Sequence, residues 1–392
     1  LRKAYLIFFL FLFYRIVLFS RILDFRVSMG LMFFLLFSLG WKSKKSSLLY
    51  LSSHVYTICL SLLPLLINQS NDVALIKTLI GTFLCSAAIC VLIEHKCIDM
   101  VKKEAIGVVL LGAIFQIIVG VLFFIFIEAR SKLFALEVVS EGTMSNIELM
   151  RLIGLGGVKY FGAGIYFGVV ALIAMGFFMA KRRPLLAWTV SLFFALTGSL
   201  FARTTLVSLP LLFVLFILSS KSKTMAIMRI SGILLTVALL ILALHNIYKD
   251  EPLYRWGLEP IYNLLEHGQL KTSSSDVLKT MYTFPDRTHT YIFGDGKYVN
   301  RDVMGRESGY YMHTDVGYMR LLYYGGVPMV IAYFIPYMVA TVLYLKSRPQ
   351  KTEKYVFLSL IAFLLILNLK GLASVNFATD IFLFSSLKRG NF

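Results

Sequence analysis

Uncharged apolar stretches recur along the chain, separated by short polar breaks that are mostly basic. Taking runs of roughly 15 to 22 residues as helices predicts about twelve membrane spans, within a range of about 10 to 13. Their approximate limits are 4–20, 27–41, 48–67, 73–93, 106–127, 160–180, 185–201, 204–220, 228–247, 327–345, 355–370 and 372–387. The first run follows Arg2 and Lys3 with the charge and length of a signal peptide, but no small-residue cleavage site follows it, so a retained helix is expected. The predicted fold class is all-α: a polytopic membrane protein with one large extracytoplasmic loop in its C-terminal half.

Composition strengthens that reading. With 58% hydrophobic and 15% charged residues, the chain has too little polar surface to cover a soluble domain. The formal charge of +18 sits in short clusters between apolar runs rather than in one stripe, which speaks against nucleic acid and for cytoplasmic loops. The basic breaks at 42–45, 94–104, 181–184, 221–223 and 346–354 alternate with the others, and they place both termini in the cytoplasm. Two long outer loops remain, at about 128–159 and 248–326. Residues 248–317 hold eight Lys plus Arg against ten Asp plus Glu, so this stretch is net −2 while the rest carries +20.

Three regions follow: 1–247 with nine spans, 248–326 as an ordered outer cap ending in an interfacial helix, and 327–392 with the last spans. Apolar spacing in "LEPIYNLLEHG" predicts a helix within the cap, and "FGDGK" predicts a tight turn. No internal repeat is present. Cys59, Cys85, Cys90 and Cys97 lie in or beside apolar segments, with no disulfide framework or zinc spacing.

Polar chemistry gathers in three outer places. Arg203, in "TGSLFARTTLVSLP", lies between two spans with almost no loop; it reads either as an anchor whose side chain snorkels to water or as an anion ligand. Arg151 precedes the sixth span in "RLIGLGGVKYFGAGIYFG", where the glycines suit close helix packing and the arginine suits an anion at a helix entrance.

The third is the large loop, with Arg287, Arg301, Arg306 and His313, closing on "YYMHTDVGYMRLLYYGGVP". There Thr314 or Asp315 suits a helix cap. Gly325, Gly326 and Pro328 end a short helix of 315–324 before the next span, and Tyr318, Tyr323 and Tyr324 match interfacial aromatics. No nucleotide loop, HExxH motif or GxSxG elbow occurs, and Lys77 and Asp380 are the main charges within spans.

In order and topology, the three outer features resemble the bacterial O-antigen polymerases of the Wzy type and the wider O-antigen ligase and polymerase superfamily. "RLIG" is similar to the family's Arg-x-x-Gly segment, "TGSLFART" to its Gly-Ser-Arg-Thr element, and "HTDVGYMRLLYYGGVP" to the segment closing its large loop. The chain departs from the family in having "GGVKY" where an Asn-rich element is frequent, and "SLFAR" where "SR" is expected.

The resemblance implies polymerisation of undecaprenyl-diphosphate-linked oligosaccharide at the periplasmic face of the bacterial inner membrane. An acceptor hydroxyl would attack the anomeric carbon while lipid diphosphate leaves. That chemistry demands no cofactor and no metal, and the implied partners are the lipid-linked oligosaccharide, membrane lipid and a polysaccharide chain-length regulator.

Arg203, with Arg151 and one of Arg287, Arg301 or Arg306, would hold the diphosphate, because guanidinium binds phosphate oxygens in bidentate fashion. His313 suits a general base near neutral pH, and Asp315 either orients His313 or is the base itself. An O-antigen ligase would use similar residues. A polysaccharide flippase would instead line a central cavity with polar groups.

Overall fold

The computed structural model describes residues 44–95, 102–126, 128, 151–155, 160–220, 222–269, 271–301, 307–374 and 377–389. The first two expected spans, most of the 128–159 loop, and Arg306 lie outside the described residues. The described residues are about 80% helical. Among the described residues, six helices are long and apolar enough to cross a membrane: α1 (Lys45–Ile67), α2 (Ala74–Glu94), α3 (Lys102–Ile125), α4 (Tyr160–Ala180), α5 (Pro184–Phe201) and, later in the chain, α12 (Gly317–Lys346).

The remaining expected spans are helical but depart from full-length, uniformly apolar crossings. The run from 204 begins as a 3-10 turn, Arg203–Val207, before α6 (Ser208–Ser219). α7 (Lys223–Tyr248) has 26 residues and carries an apolar stretch that includes Ala238–Tyr248. The last two, α13 (Lys351–Leu367) and α14 (Phe377–Arg389), have 17 and 13 residues.

α4 is the central helix of the bundle, buried almost continuously from Ala163 to Gly176. It packs on α5, α6 and α13, and small residues allow the contact. A Cβ at Gly164 would collide with the Thr204 side chain, and one at Gly198 with Phe167 and Thr205. These glycines therefore seat the Arg203 turn against α4. On the other side α1 packs against α12, and α2 against α14. Asp380 is buried there and accepts from Tyr50 Oη and Ser86 Oγ at 2.7 Å each, linking α14 to α1 and α2. Lys77 is exposed.

Basic breaks meet at one end of the bundle. Lys102 pairs with Glu353, and Lys44 Nζ donates to the carbonyls of Leu387 and Lys388 at 2.8 and 2.9 Å.

Between α7 and α12 lie four short helices, α8 (Pro252–Gly257), α9 (Glu259–His267), α10 (Ser273–Thr280) and α11 (Thr288–Phe293), and an antiparallel hairpin of β1 (Val299–Arg301) and β2 (Glu307–Tyr310). The hairpin is a small departure from an all-α chain. α9 is the helix expected from "LEPIYNLLEHG" and ends on left-handed Gly268; Gly294 and Gly296 in "FGDGK" also take positive φ. α10 opens with a capping box between Thr272 and Ser275, the last of three consecutive serines.

α12 breaks at the expected glycines: Gly325 and Gly326 leave helical geometry, Gly326 at φ 69°. The break frees the carbonyls of Tyr323 and Tyr324, which accept from Asp295 N at 2.7 Å and Gly296 N at 3.0 Å. A Cβ on Gly326 would meet the Tyr291 carbonyl at 2.5 Å, so glycine also permits α11 to dock there.

Asp72, from the α1–α2 turn, accepts from Tyr298 N and Val299 N at 2.6 and 2.8 Å, clipping β1 to the bundle. Arg320 is buried against the Tyr310 and Tyr298 rings, at 3.4 and 4.2 Å.

Two expectations are corrected. Tyr323 and Tyr324 are buried rather than interfacial; their hydroxyls donate to the Thr283 and Ser61 carbonyls at 3.0 and 2.9 Å. Neither Thr314 nor Asp315 caps α12. Its N-cap is Val316, without a side-chain cap, and Thr314 Oγ1 instead donates to Met281 O and accepts from Val316 N.

Candidate functional site

The cations predicted in separate segments meet around one indole. Arg151 Cζ lies 4.9 Å and Arg203 Cζ 5.3 Å from the ring centroid of Trp256 in α8. The Arg151 segment is fixed from two sides. Leu152 N donates to Leu200 O at the end of α5 at 3.1 Å, and Gln116 of α3 accepts from Leu155 N at 2.8 Å while donating to its carbonyl at 3.4 Å. Arg203 is positioned by the 3-10 turn, whose Thr204 and Thr205 are buried against α4 and α5.

A third cation, Lys370 in the turn after α13, belongs to the same group. Burial, then the positive charges of Arg203 and Arg151, lower its pKa from the ordinary lysine value, while Asp315 acts in the opposite sense. Arg203 is lowered likewise, first by burial and then by Arg151. Lys370 Nζ donates to Ser274 Oγ at 3.0 Å.

Asp315 is exposed and within electrostatic reach of Lys370. Glu259 at the start of α9 is the carboxylate ion-paired with Arg203. It also accepts from Ser273 N at 2.8 Å and Ser273 Oγ at 3.3 Å, so α9, α10 and the Arg203 turn share one carboxylate. Among the described residues, three cations thus face two carboxylates, a local excess of positive charge.

The other expected residues lie apart from this group. His313 is exposed, in a 3-10 turn where both Met312 and His313 take positive φ, at 54° and 52°. Two consecutive non-glycine residues in that region mark local strain. Among the described residues no hydrogen bond or ion pair joins His313 to Asp315 or to the arginines. Arg287 is exposed and acts electrostatically on Tyr311, beside Asp295. Arg301 is exposed on the hairpin, in register with Glu307.

Lys370, Glu259 and Trp256 were not anticipated. Lys370 and Trp256 each sit beside an apolar or amphipathic run without a motif of their own, and Glu259 is the first residue of a helix, where a carboxylate is commonplace. Among the described residues, no group of three His, Cys, Asp or Glu side chains is arranged to hold a metal ion.

Chemically, the cluster can receive an anion with more than one phosphate. Its guanidinium groups supply forked donors, the ammonium supplies a point charge, and Glu259 occupies the place that such an anion would compete for. Comparison with protein-family models, with curated proteins and with solved structures returns no match.

Proposed function

We propose that this membrane protein polymerises undecaprenyl-diphosphate-linked oligosaccharide repeat units into O-antigen or a related surface polysaccharide, with the Arg151, Arg203 and Lys370 cluster holding the lipid diphosphate. The supporting observation is the convergence of both predicted arginines on Trp256, with Lys370 beside them, at the end of the bundle away from the basic breaks. In this reading that end faces the periplasm of the bacterial inner membrane, and the short-helix segment caps it.

The acceptor hydroxyl oxygen bonds to the anomeric carbon of the donor sugar. The bond from that carbon to the diphosphate oxygen breaks, and its electron pair leaves with the diphosphate. The departing charge falls on the three cations; deleting one preorganised donor of this kind typically slows catalysis by about 10²- to 10³-fold. The hydroxyl proton passes to Asp315, an exposed carboxylate within electrostatic reach of Lys370. His313, two residues before Asp315 in the sequence, is the second proton acceptor in this scheme, and general-base assistance contributes about 10²- to 10⁴-fold.

A deletion strain tests the class. It should retain single-repeat lipopolysaccharide and lose the ladder of longer chains. Loss of every repeat from lipid A-core, with long lipid-linked chains accumulating, would overturn the polymerase reading in favour of a ligase. Transbilayer movement of the lipid-linked repeat by purified protein, without polymer, would overturn the enzyme reading in favour of a flippase.

A further inference from the structure

A second site lies at the opposite end of the bundle, on the flank of α5. α7 packs on α6 and leaves a groove of about 760 Å³ between itself and α5. Its lining includes Leu186, Trp188, Phe216 and Gly232, and two guanidinium groups, Arg183 and Arg229. Trp188 is buried, its ring packed against Phe213 and Phe216 with centroids 5.1 Å away in each case. A Cβ placed on Gly232 meets nothing within 4 Å, so the glycine borders open space. An apolar groove on the side of a membrane-spanning helix is filled by lipid chains, because these are the solvent there.

The charge of the groove narrows the occupant. From Lys181 to Lys249 the chain contains no Asp or Glu. Two nearby lysines are already engaged: Lys181 lies over the Phe177 ring at 3.9 Å, and Lys223 donates to the Ile217 and Leu218 carbonyls. Glu353, an acidic residue at this end, pairs with Lys102. Arg183 is exposed, and Arg229 reaches the Met225 sulfur at 3.3 Å; neither is ion-paired among the described residues.

Two guanidinium groups above an apolar channel match a phosphate that carries hydrocarbon chains. A zwitterionic headgroup would bring its own ammonium towards them. α5 separates Arg183 from Arg203 by 18 residues, about 27 Å at about 1.5 Å per residue, so this groove is distinct from the diphosphate cluster.

We propose that the groove between α5 and α7 binds an anionic glycerophospholipid, its phosphate on Arg183 and Arg229 and an acyl chain along Trp188, Phe216 and Gly232. The proposal is independent of what the cluster at the other end does.

Native mass spectrometry of the full-length protein, with phosphatidylglycerol and phosphatidylcholine of matched chains, tests it. The unaltered protein should retain phosphatidylglycerol in preference by about 30-fold, the value for two basic contacts at about 1 kcal/mol each. Combined Arg183→Gln and Arg229→Gln should remove the preference, and Gly232→Phe should reduce retention of both lipids by filling the channel. Equal retention by the unaltered protein, an undiminished preference in the double variant, or native retention in Gly232→Phe would each overturn the proposal. Selective displacement of phosphatidylglycerol by undecaprenyl phosphate at equal mole fraction would also overturn it, assigning the groove to a polyprenyl lipid.

Discussion

Replacing Glu259 with Gln removes the charge that competes for Arg203 while keeping a carbonyl oxygen to accept from Ser273 N. The size of the effect follows from burial. Hydrogen bonds to buried charged groups contribute about 1.5–3 kcal/mol, and exposed ion pairs about 0–1 kcal/mol. The Arg203 and Glu259 side chains are 12% and 17% exposed, between those limits. A release of about 1–2 kcal/mol corresponds to about 5- to 30-fold in affinity.

Pyrophosphate binding to the purified full-length protein in lipid nanodiscs, followed by calorimetry, measures this. Glu259→Gln should bind more tightly by that factor, and Arg203→Ala should bind at least tenfold more weakly than the unaltered protein. Unchanged or weaker binding in Glu259→Gln would refute the idea that Glu259 occupies the anion's place.

The remaining predictions concern pH and the joint between cap and bundle. An anion favours protonated Lys370, so pyrophosphate affinity should be full below the Lys370 pKa and fall as pH rises through it. Because burial and the two arginines lower that pKa, the fall should begin below 10.5, and binding there should take up protons; calorimetry in buffers of different ionisation enthalpy reads both. Gly326→Ala should lower stability by about 3 kcal/mol or more, since alanine is strained at its φ and its Cβ meets the α11 backbone; thermal unfolding in detergent checks this. Asp72→Ala leaves Tyr298 N and Val299 N without their acceptor, costing about 2–5 kcal/mol locally; faster tryptic cleavage at Lys297 and Arg301 is the expected sign.

How legible these features are in the sequence differs by element. α4 matches its expected limits, 160–180, because an apolar run bounded by polar residues fixes both ends of a helix. The break at Gly325 and Gly326 is equally local, since two glycines before a proline end one helix and permit another. By contrast, the burial of Tyr323 and Tyr324 depends on the turn at Thr283 and on α1, distant in the chain, and a tyrosine suits a core or an interface equally.

The positive φ of Met312 and His313 is likewise imposed by the fold, because neither residue favours it. Arg151 and Arg203 stand out as isolated charges beside apolar runs, and the structure brings them together. Lys370 escaped notice because it closes an apolar run where a terminal lysine ordinarily reaches for water, and only the folded turn brings it to the arginines.

Polymer formation by purified protein from undecaprenyl-diphosphate-linked repeat units, compared between the unaltered chain and Arg203→Ala, tests the central claim most directly. Extended chains from the unaltered protein, slowed by about 10²-fold or more in Arg203→Ala at unchanged folding, are the predicted result. Equal chain extension by both, or none by the unaltered protein, would contradict the account.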